Sequence, residues 1–216
     1  NRNEAMYRNI YSYIERVISA RQGNYMVFFP SYAMLEKVHV LTEELPESLG
    51  VEVIAQEQYM TESDRESFLR AFEEKDNVLA LCIMGGIFSE GIDLTGDRLI
   101  GAIIVGPGLP QVCTERKLMM DYFDSRTAAD EKEAASDRNG FRYAYQYPGI
   151  NKVFQAAGRV IRTETDQGII LLIDERFATR RYTELFPVEW NDSVICNMQN
   201  VDGILEQFWD YKSKEI

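Results

Sequence analysis

Four short, unbroken apolar runs constrain this chain more than any other feature: YMVFF at 25–29, NVLALCIM at 77–84, LIGAIIV at 99–105 and IILLI at 169–173. A run of this length without polar alternation predicts a strand buried on both faces. VEVIA, 51–55, predicts a further strand. Between the runs lie helical patterns. Segment 4–20 carries Ile10, Ile14, Val17 and Ile18 at helical spacing, and SYAMLEKVHVLTEEL, 31–45, begins with Ser31 as a cap. Segment 61–75 opens on Thr61 with Asp64 three residues on, a variant capping box, and Phe68, Leu69 and Phe72 form its apolar stripe. Segments 112–124, 148–163 and the region near 201–213 read as three more helices. Apolar strands alternating with helices predict an α/β fold: a mostly parallel sheet with helices on both faces. No internal repeat or strong linker interrupts the chain, so residues 1–216 are expected to form one domain. Ligands of such sheets sit beyond the carboxyl ends of the strands. That singles out FPSY, GGIFSEGID and GPGLPQ, with the helix that lies over them.

Charge and cysteine usage narrow the chemistry. The net charge of -12 is a mild argument against a broadly basic nucleic-acid surface, though a narrow groove can still be lined by local donors. Cys82, Cys113 and Cys196 are far apart, and His39 is the one histidine, so no metal site is expected within this chain. The odd cysteine count also argues against a disulfide framework. No apolar run approaches the ~18–20 residues that span a bilayer, so no membrane partner is expected. The N-terminus, NRNEAMYRNI, lacks the form of a signal peptide, and a cytoplasmic setting is expected. Residue 1 is Asn rather than Met, which suggests a piece of a longer chain.

Three stretches could carry chemistry. In QAAGRVIR, 155–162, an ideal helix at 100° per residue puts Arg159 about 40° and Arg162 about 20° from Gln155, on one narrow face. Val153, Ala157, Val160 and Ile161 fall opposite and are expected to pack on the sheet. Gly158 inside a helix costs ~1 kcal/mol relative to Ala, a cost that goes with close approach of a ligand or neighbour. Two guanidiniums in a row suit phosphate oxygens, but a solvated polar face gives the same spacing. In GGIFSEGIDL, 85–94, Gly85 and Gly86 let the backbone come close to a ligand. Ser89, Glu90, Gly91 and Asp93 follow, as ligand groups or as an ordinary turn with acidic caps. In FFPSY, Ser31 and the amides at a helix start make a phosphate site or a plain cap.

In this order the pieces resemble a known family. FFPSYAMLEKV, then GGIFSEGIDLTGDRLIGAIIVGPGLPQ, then QAAGRVIRTETDQGIILLIDERF are similar to motifs IV, V, Va and VI of superfamily 2 helicases of the XPD/DinG type. The likeness covers most of residues 25–190. It implies the second, RecA-like motor domain of a DNA helicase, a three-layer fold. By this resemblance Arg162 is the arginine finger that reaches the γ-phosphate, with Arg159, Gln155 and Gly158 beside it. Glu90, Gly91 and Asp93 link nucleotide to DNA. Ser31, Tyr32, Gly85, Gly86 and Ser89 lie on the single-stranded DNA track, with Pro110 and Gln111 near it.

The chain contains no G-x-x-x-x-G-K-[ST], and indeed no Gly-Lys pair, so nothing here cradles the β- and γ-phosphates. IILLIDER could pass for a magnesium-binding strand through Asp174 and Glu175. It follows motif VI, however, where the family has a strand ending in D-x-R-F, and a structural role for Asp174 and Arg176 is expected. The resemblance therefore implies ATP and magnesium held mainly by a first motor domain N-terminal to residue 1. An iron–sulfur cluster, found in many relatives, would also lie there. The expected partners are single-stranded DNA and that first domain, in a monomer moving 5′ to 3′. Two rivals fit the same alternation: a RecA-like module kept for protein interaction, and a stand-alone nucleotide- or flavin-binding protein.

Overall fold

The computed structural model describes residues 4–88, 98–127, 139–161 and 166–212. Among these, five strands form one all-parallel sheet: β1 (Tyr25–Phe29), β2 (Glu52–Ala55), β3 (Val78–Ile83), β4 (Gly101–Val105) and β5 (Ile169–Ile173). The spatial order is β2-β3-β1-β4-β5. Register is set by pairs such as Val27 with Leu81 and with Ile103. The expected strands are all present. β1, β3 and β4 are buried almost throughout, as unbroken apolar runs require, whereas β2 and β5 are half-buried because each has a neighbour on one side only.

Alternate side chains enter two cores. Met26, Phe28, Ala80, Cys82, Ala102 and Ile104 face α3 (Glu62–Glu74) and α5 (Tyr147–Ala157). Tyr25, Val27, Phe29, Leu79, Leu81 and Ile103 face α1 (Glu4–Ala20), α2 (Tyr32–Thr42) and α7 (Val201–Lys212). The fold is thus a three-layer α/β sandwich, with the period of two along each strand dividing its residues between two helical layers. α4 (Thr114–Thr127) stands apart from both cores. It is joined to the turn before α5 by Phe123 stacked on Tyr143 at 4.2 Å and by Arg116, which donates to the Ala144 carbonyl at 3.1 Å.

Local sequence explains most boundaries. Ser31 caps α2 by accepting from the Met34 amide, and α2 ends at Thr42, short of the expected 45. Thr61 and Asp64 complete the reciprocal capping box at the start of α3. Its hydrogen bonds, the Thr61 hydroxyl first and the Thr61 amide second, hold the Asp64 carboxyl below the usual carboxylate range. A π-helical turn, Arg142–Gln146, leads directly into α5. Buried Gln146 is satisfied there: its Nε2 donates to the Arg181 carbonyl and its Oε1 accepts from Arg181 Nε. A short helix α6 (Arg180–Thr183) and the aromatics Tyr182, Phe186 and Trp190 close the α5 side of the sheet.

At the amino ends of the strands, buried Asn24 acts as a stitch. Its Oδ1 accepts from the Val78 amide, and its Nδ2 donates to the carbonyls of Lys75 and Arg98.

Candidate functional site

The carboxyl edge of the sheet brings several expected residues together. Ser31 and Tyr32 open α2 just after β1. Helix geometry leaves the first amides of α2 without intrahelical partners, directed beyond the strand ends. Gly85 and Gly86 follow β3, and Gly85 has φ +70, which a residue with a side chain rarely adopts. Leu109, Pro110 and Gln111 follow the turn after β4, with Gln111 exposed.

The residue that ties this edge together is Gln56, only 5% exposed, at the end of β2. Its Oε1 accepts from the Ile83 amide at 3.0 Å, and its Nε2 donates to the Tyr32 hydroxyl at 3.0 Å. Tyr32 in turn donates to the Glu57 carbonyl at 3.2 Å. The loops after β1, β2 and β3 therefore share one hydrogen-bonded core. Sequence reasoning missed Gln56. Its signal was a single amide directly after an apolar run, where a buried polar group needs partners from neighbouring loops.

α5 contributes its head to the same edge. A Cβ on Gly149 would lie 2.5 Å from the Pro107 carbonyl oxygen, and one on Gly108 (φ +60) would lie 2.4 Å from Met84 Sδ and 3.2 Å from the Gly149 carbonyl oxygen. The Lys152 side chain runs across Gly85, where an added Cβ would meet its Cδ at 2.9 Å. Lys152 brings a cation to this edge, and it too was missed. One isolated lysine carries no motif.

The tail of α5 differs from its sequence reading in three ways. The helix ends at Ala157 rather than continuing to 163, and Gly158 is its C-cap with φ -65 and ψ 0. The last turn tightens: the Arg159 and Val160 amides donate to Ala156 and Ala157, three residues back. A glycine followed by β-branched residues is a weak place to continue a helix. The helical wheel that put Arg159 and Arg162 in line with Gln155 consequently does not extend past Ala157. Val153, Ala157 and Val160 are buried as expected, but Ile161 is 44% exposed. Gly158 is a stop rather than a gap for close approach. The glycine that admits a neighbour is Gly149, in the first turn.

The third difference concerns place. α5 runs antiparallel to the strands, so its tail lies at their amino ends. A Cβ on Gly168, just before β5, would lie 2.3 Å from Val160 Cγ1 and 2.8 Å from the Ile100 carbonyl oxygen. Exposed Gln155 and half-buried Arg159 thus stand at the opposite end of the helix from Ser31, Tyr32, Gly85 and Gly86. Ser89, Glu90, Gly91, Asp93 and Arg162 lie outside the described residues.

Asp174 is not available as a metal ligand of the kind its strand resembles. Its Oδ1 accepts from the backbone amide and Nε of Arg176, and its Oδ2 accepts from the Arg176 guanidinium at 2.7 Å. That bonding raises the affinity of Arg176 for its proton. Among the described residues, no three His, Cys, Asp or Glu side chains converge to hold a metal ion. Cys82 is fully buried and burial pushes its thiol pKa up, which removes it as a nucleophile. No described helix is long and apolar enough to cross a membrane.

An all-parallel three-layer sheet with these loops at its carboxyl edge is the RecA-like motor fold. The chain belongs to the helicase C-terminal domain family, whose model matches residues 14–193. It is 28% identical over 205 residues to the regulator of telomere elongation helicase 1 homolog of Caenorhabditis briggsae, covering 86% of this chain and 20% of that protein. It is 27% identical over 174 residues to the 3'-5' exonuclease DinG of Bacillus subtilis, covering 81% of this chain and 17% of that one. A solved XPD helicase has the same fold, with a TM-score of 0.64 at 20% identity, over 85% of this chain and 30% of its own. The chain spans about a fifth of the length of these two curated relatives. The resemblance to XPD/DinG-type helicases thus holds in both sequence and fold.

Proposed function

We propose that this chain is the second motor half of an ATP-dependent DNA helicase that moves 5′ to 3′ along single-stranded DNA. The observation that carries the reading is the division of labour along α5. Its head lies against the turn after β4 and, through Lys152, against Gly85, on the strand edge that also carries Ser31, Tyr32 and Gly86, and its tail carries Gln155 and Arg159 at the other end. The carboxyl edge is suited to a backbone phosphate: the Tyr32 and Ala33 amides at the start of α2, ahead of the Met34 amide that Ser31 caps, close backbone approach at the glycines, and Lys152 nearby. Pro110, Gln111 and Ser89 belong to the same track in this reading.

The tail is suited to one wall of a nucleotide site. It supplies donors and a cation but no phosphate cradle, so ATP and magnesium would be held mainly by a first motor domain of the same protein. When bound, magnesium neutralises charge on the transferring phosphates. Arg162 donates to the γ-phosphate oxygens as charge develops on them, with Arg159 and Gln155 fixing its approach. Glu90, Gly91 and Asp93 connect that wall to the DNA side. Asp174 takes no part, being held by Arg176.

Replacing Arg162 by Ala in the full-length protein tests this. An arginine finger contributes roughly 10³–10⁵ in rate in related phosphoryl transfer, so hydrolysis should be lost while single-strand binding is largely kept. Hydrolysis near the wild-type rate would remove the finger assignment. The chain alone should turn over no ATP, and steady turnover by a pure preparation would overturn the two-half reading.

A further inference from the structure

We propose that the outward face of α4 is a dimer interface, on which a second copy of this chain packs its own α4 antiparallel across a two-fold axis.

α4 is 14 residues long, and none of residues 114–126 is buried. A helix of that length is marginal in water without tertiary packing. One flank is already in use. Arg116 donates to the Ala144 carbonyl, Phe123 stacks on Tyr143, and Asp124 accepts from the Gly140 amide at 2.8 Å. The other flank carries Leu118, Met119 and Tyr122, which are 64%, 40% and 51% exposed. A helix packed on one flank is expected to be polar where it meets water. This one is apolar there.

The order of residues on that face names the occupant. Glu115, Met119, Tyr122 and Arg126 are spaced four, three and four apart, the spacing of a coiled-coil seam. At 100° per residue they fall within an arc of about 60°, with Leu118 about 40° to one side of Tyr122. The seam is acidic at its start, apolar in its middle and basic at its end. Turned about a two-fold axis between Met120 and Asp121, it is its own complement. Met119 meets Tyr122 of the second copy, Glu115 meets Arg126 of the second copy, and each contact is made twice. A parallel pairing would set Glu115 on Glu115 and Arg126 on Arg126, so charge selects the antiparallel one.

Both charged groups are placed for this. Glu115 accepts from its own backbone amide, which holds its carboxyl below the usual range and at the helix start. A carboxylate has further lone pairs to offer a guanidinium. The Arg126 guanidinium lies 4.9 Å from the Tyr122 ring centroid, so cation and ring form one continuous surface. Tyrosine and arginine are the side chains that most often anchor an interface. Helices about 21 Å long bury less than the ~1,200 Å² of a standard interface, so the dimer is weak and depends on concentration. The resemblance implies a monomer, and this face departs from it.

The test is sedimentation velocity of the 216-residue chain from micromolar to millimolar concentration. Reductant keeps exposed Cys113 from joining two chains. The sedimentation coefficient should rise from that of a monomer to that of a dimer. Tyr122→Ala removes both central rings and should weaken the dimer roughly 100-fold. Arg126→Glu sets carboxylates against each other at both ends of the seam and should weaken it roughly 10-fold. Glu115→Arg combined with Arg126→Glu reverses the seam and should restore wild-type association. These side chains are exposed, so each variant should keep the wild-type thermal melt. A chain that stays monomeric at millimolar concentration overturns the interface, and leaves the face to another part of the full-length protein or to a different protein. A dimer that is indifferent to Tyr122→Ala or Arg126→Glu, or that the double reversal does not restore, uses another surface and overturns it equally.

Discussion

The two ends of α5 are held in opposite ways. Its head is wedged by backbone against backbone, with Gly149 against Pro107 and Gly108, and it adjoins loops that Gln56 and Tyr32 knit together. Beyond its tail Val160 packs on Gly168, which itself lies against the Ile100 carbonyl, and the next residue, Ile161, is exposed. At one end Gln56, the Ile83 amide and the Tyr32 hydroxyl are bonded to one another within this chain. The other carries exposed Gln155 and half-buried Arg159. A surface that grips a backbone is expected to be rigid before the ligand arrives.

Several substitutions probe that contrast. The largest effect belongs to the tail. In the full-length protein Arg159→Ala should slow ATP hydrolysis roughly 10²–10³-fold, the loss typical of one transition-state donor, with little change in single-strand affinity. Equal loss of both, in a phosphate-release assay alongside DNA titration, would erase the distinction between the ends. At the head the effects should fall on stability. Gly149→Ala forces a methyl group against the Pro107 carbonyl oxygen, and overpacking of this kind costs about 1–3 kcal/mol, measurable by urea unfolding. An unchanged midpoint would mean that the wedge is loose.

Gln56→Ala removes the side-chain acceptor of the Ile83 amide and the side-chain donor to the Tyr32 hydroxyl. It should cost roughly 1–3 kcal/mol and weaken DNA binding as well, because Tyr32 loses its support. Gly158→Ala is the smallest of the substitutions. Its φ of -65 is open to any residue, so stability should stay within ~1 kcal/mol of wild type. A large loss of stability would show that Gly158 admits a neighbour after all.

A pH effect is smaller still. Asp64 is held below its ordinary range by Thr61. The stabilisation is present above the unfolded value of about 3.9 and is lost as pH falls through the lower folded value. Amide exchange at the first turn of α3 should quicken over that acid window and not at neutral pH. In Asp64→Asn the quickening should vanish.

Much of this was legible in residue order. YMVFF and LIGAIIV announce central strands because both their faces are buried, leaving no polar period to confuse them. Thr61 and Asp64 announce a helix start because the box is local. Spacing failed at Gly158 because a helical wheel assumes a helix, and the pattern QAAGRVIR holds its phase whether or not the backbone does. The direction of α5 was within reach. A helix joining two parallel strands must return to the amino edge, so Gln155 and Arg159 could not share the edge of FPSY and GGIF. Gln56 and Lys152 were out of reach. Their partners come from loops distant in sequence, and the place of Gln56 directly after an apolar run says that a buried amide needs partners but not which ones.

The wedge at Gly149 has a mechanical consequence. The turn after β4 cannot shift without carrying the head of α5 with it, since no side chain lies between them to absorb the motion. An α5 of 11 residues is a rod about 16 Å long at 1.5 Å per residue. Force applied to the loop at one edge therefore arrives at the opposite edge as travel along the rod's axis. It is delivered at the tightened turn of Gly158, where the rod stops.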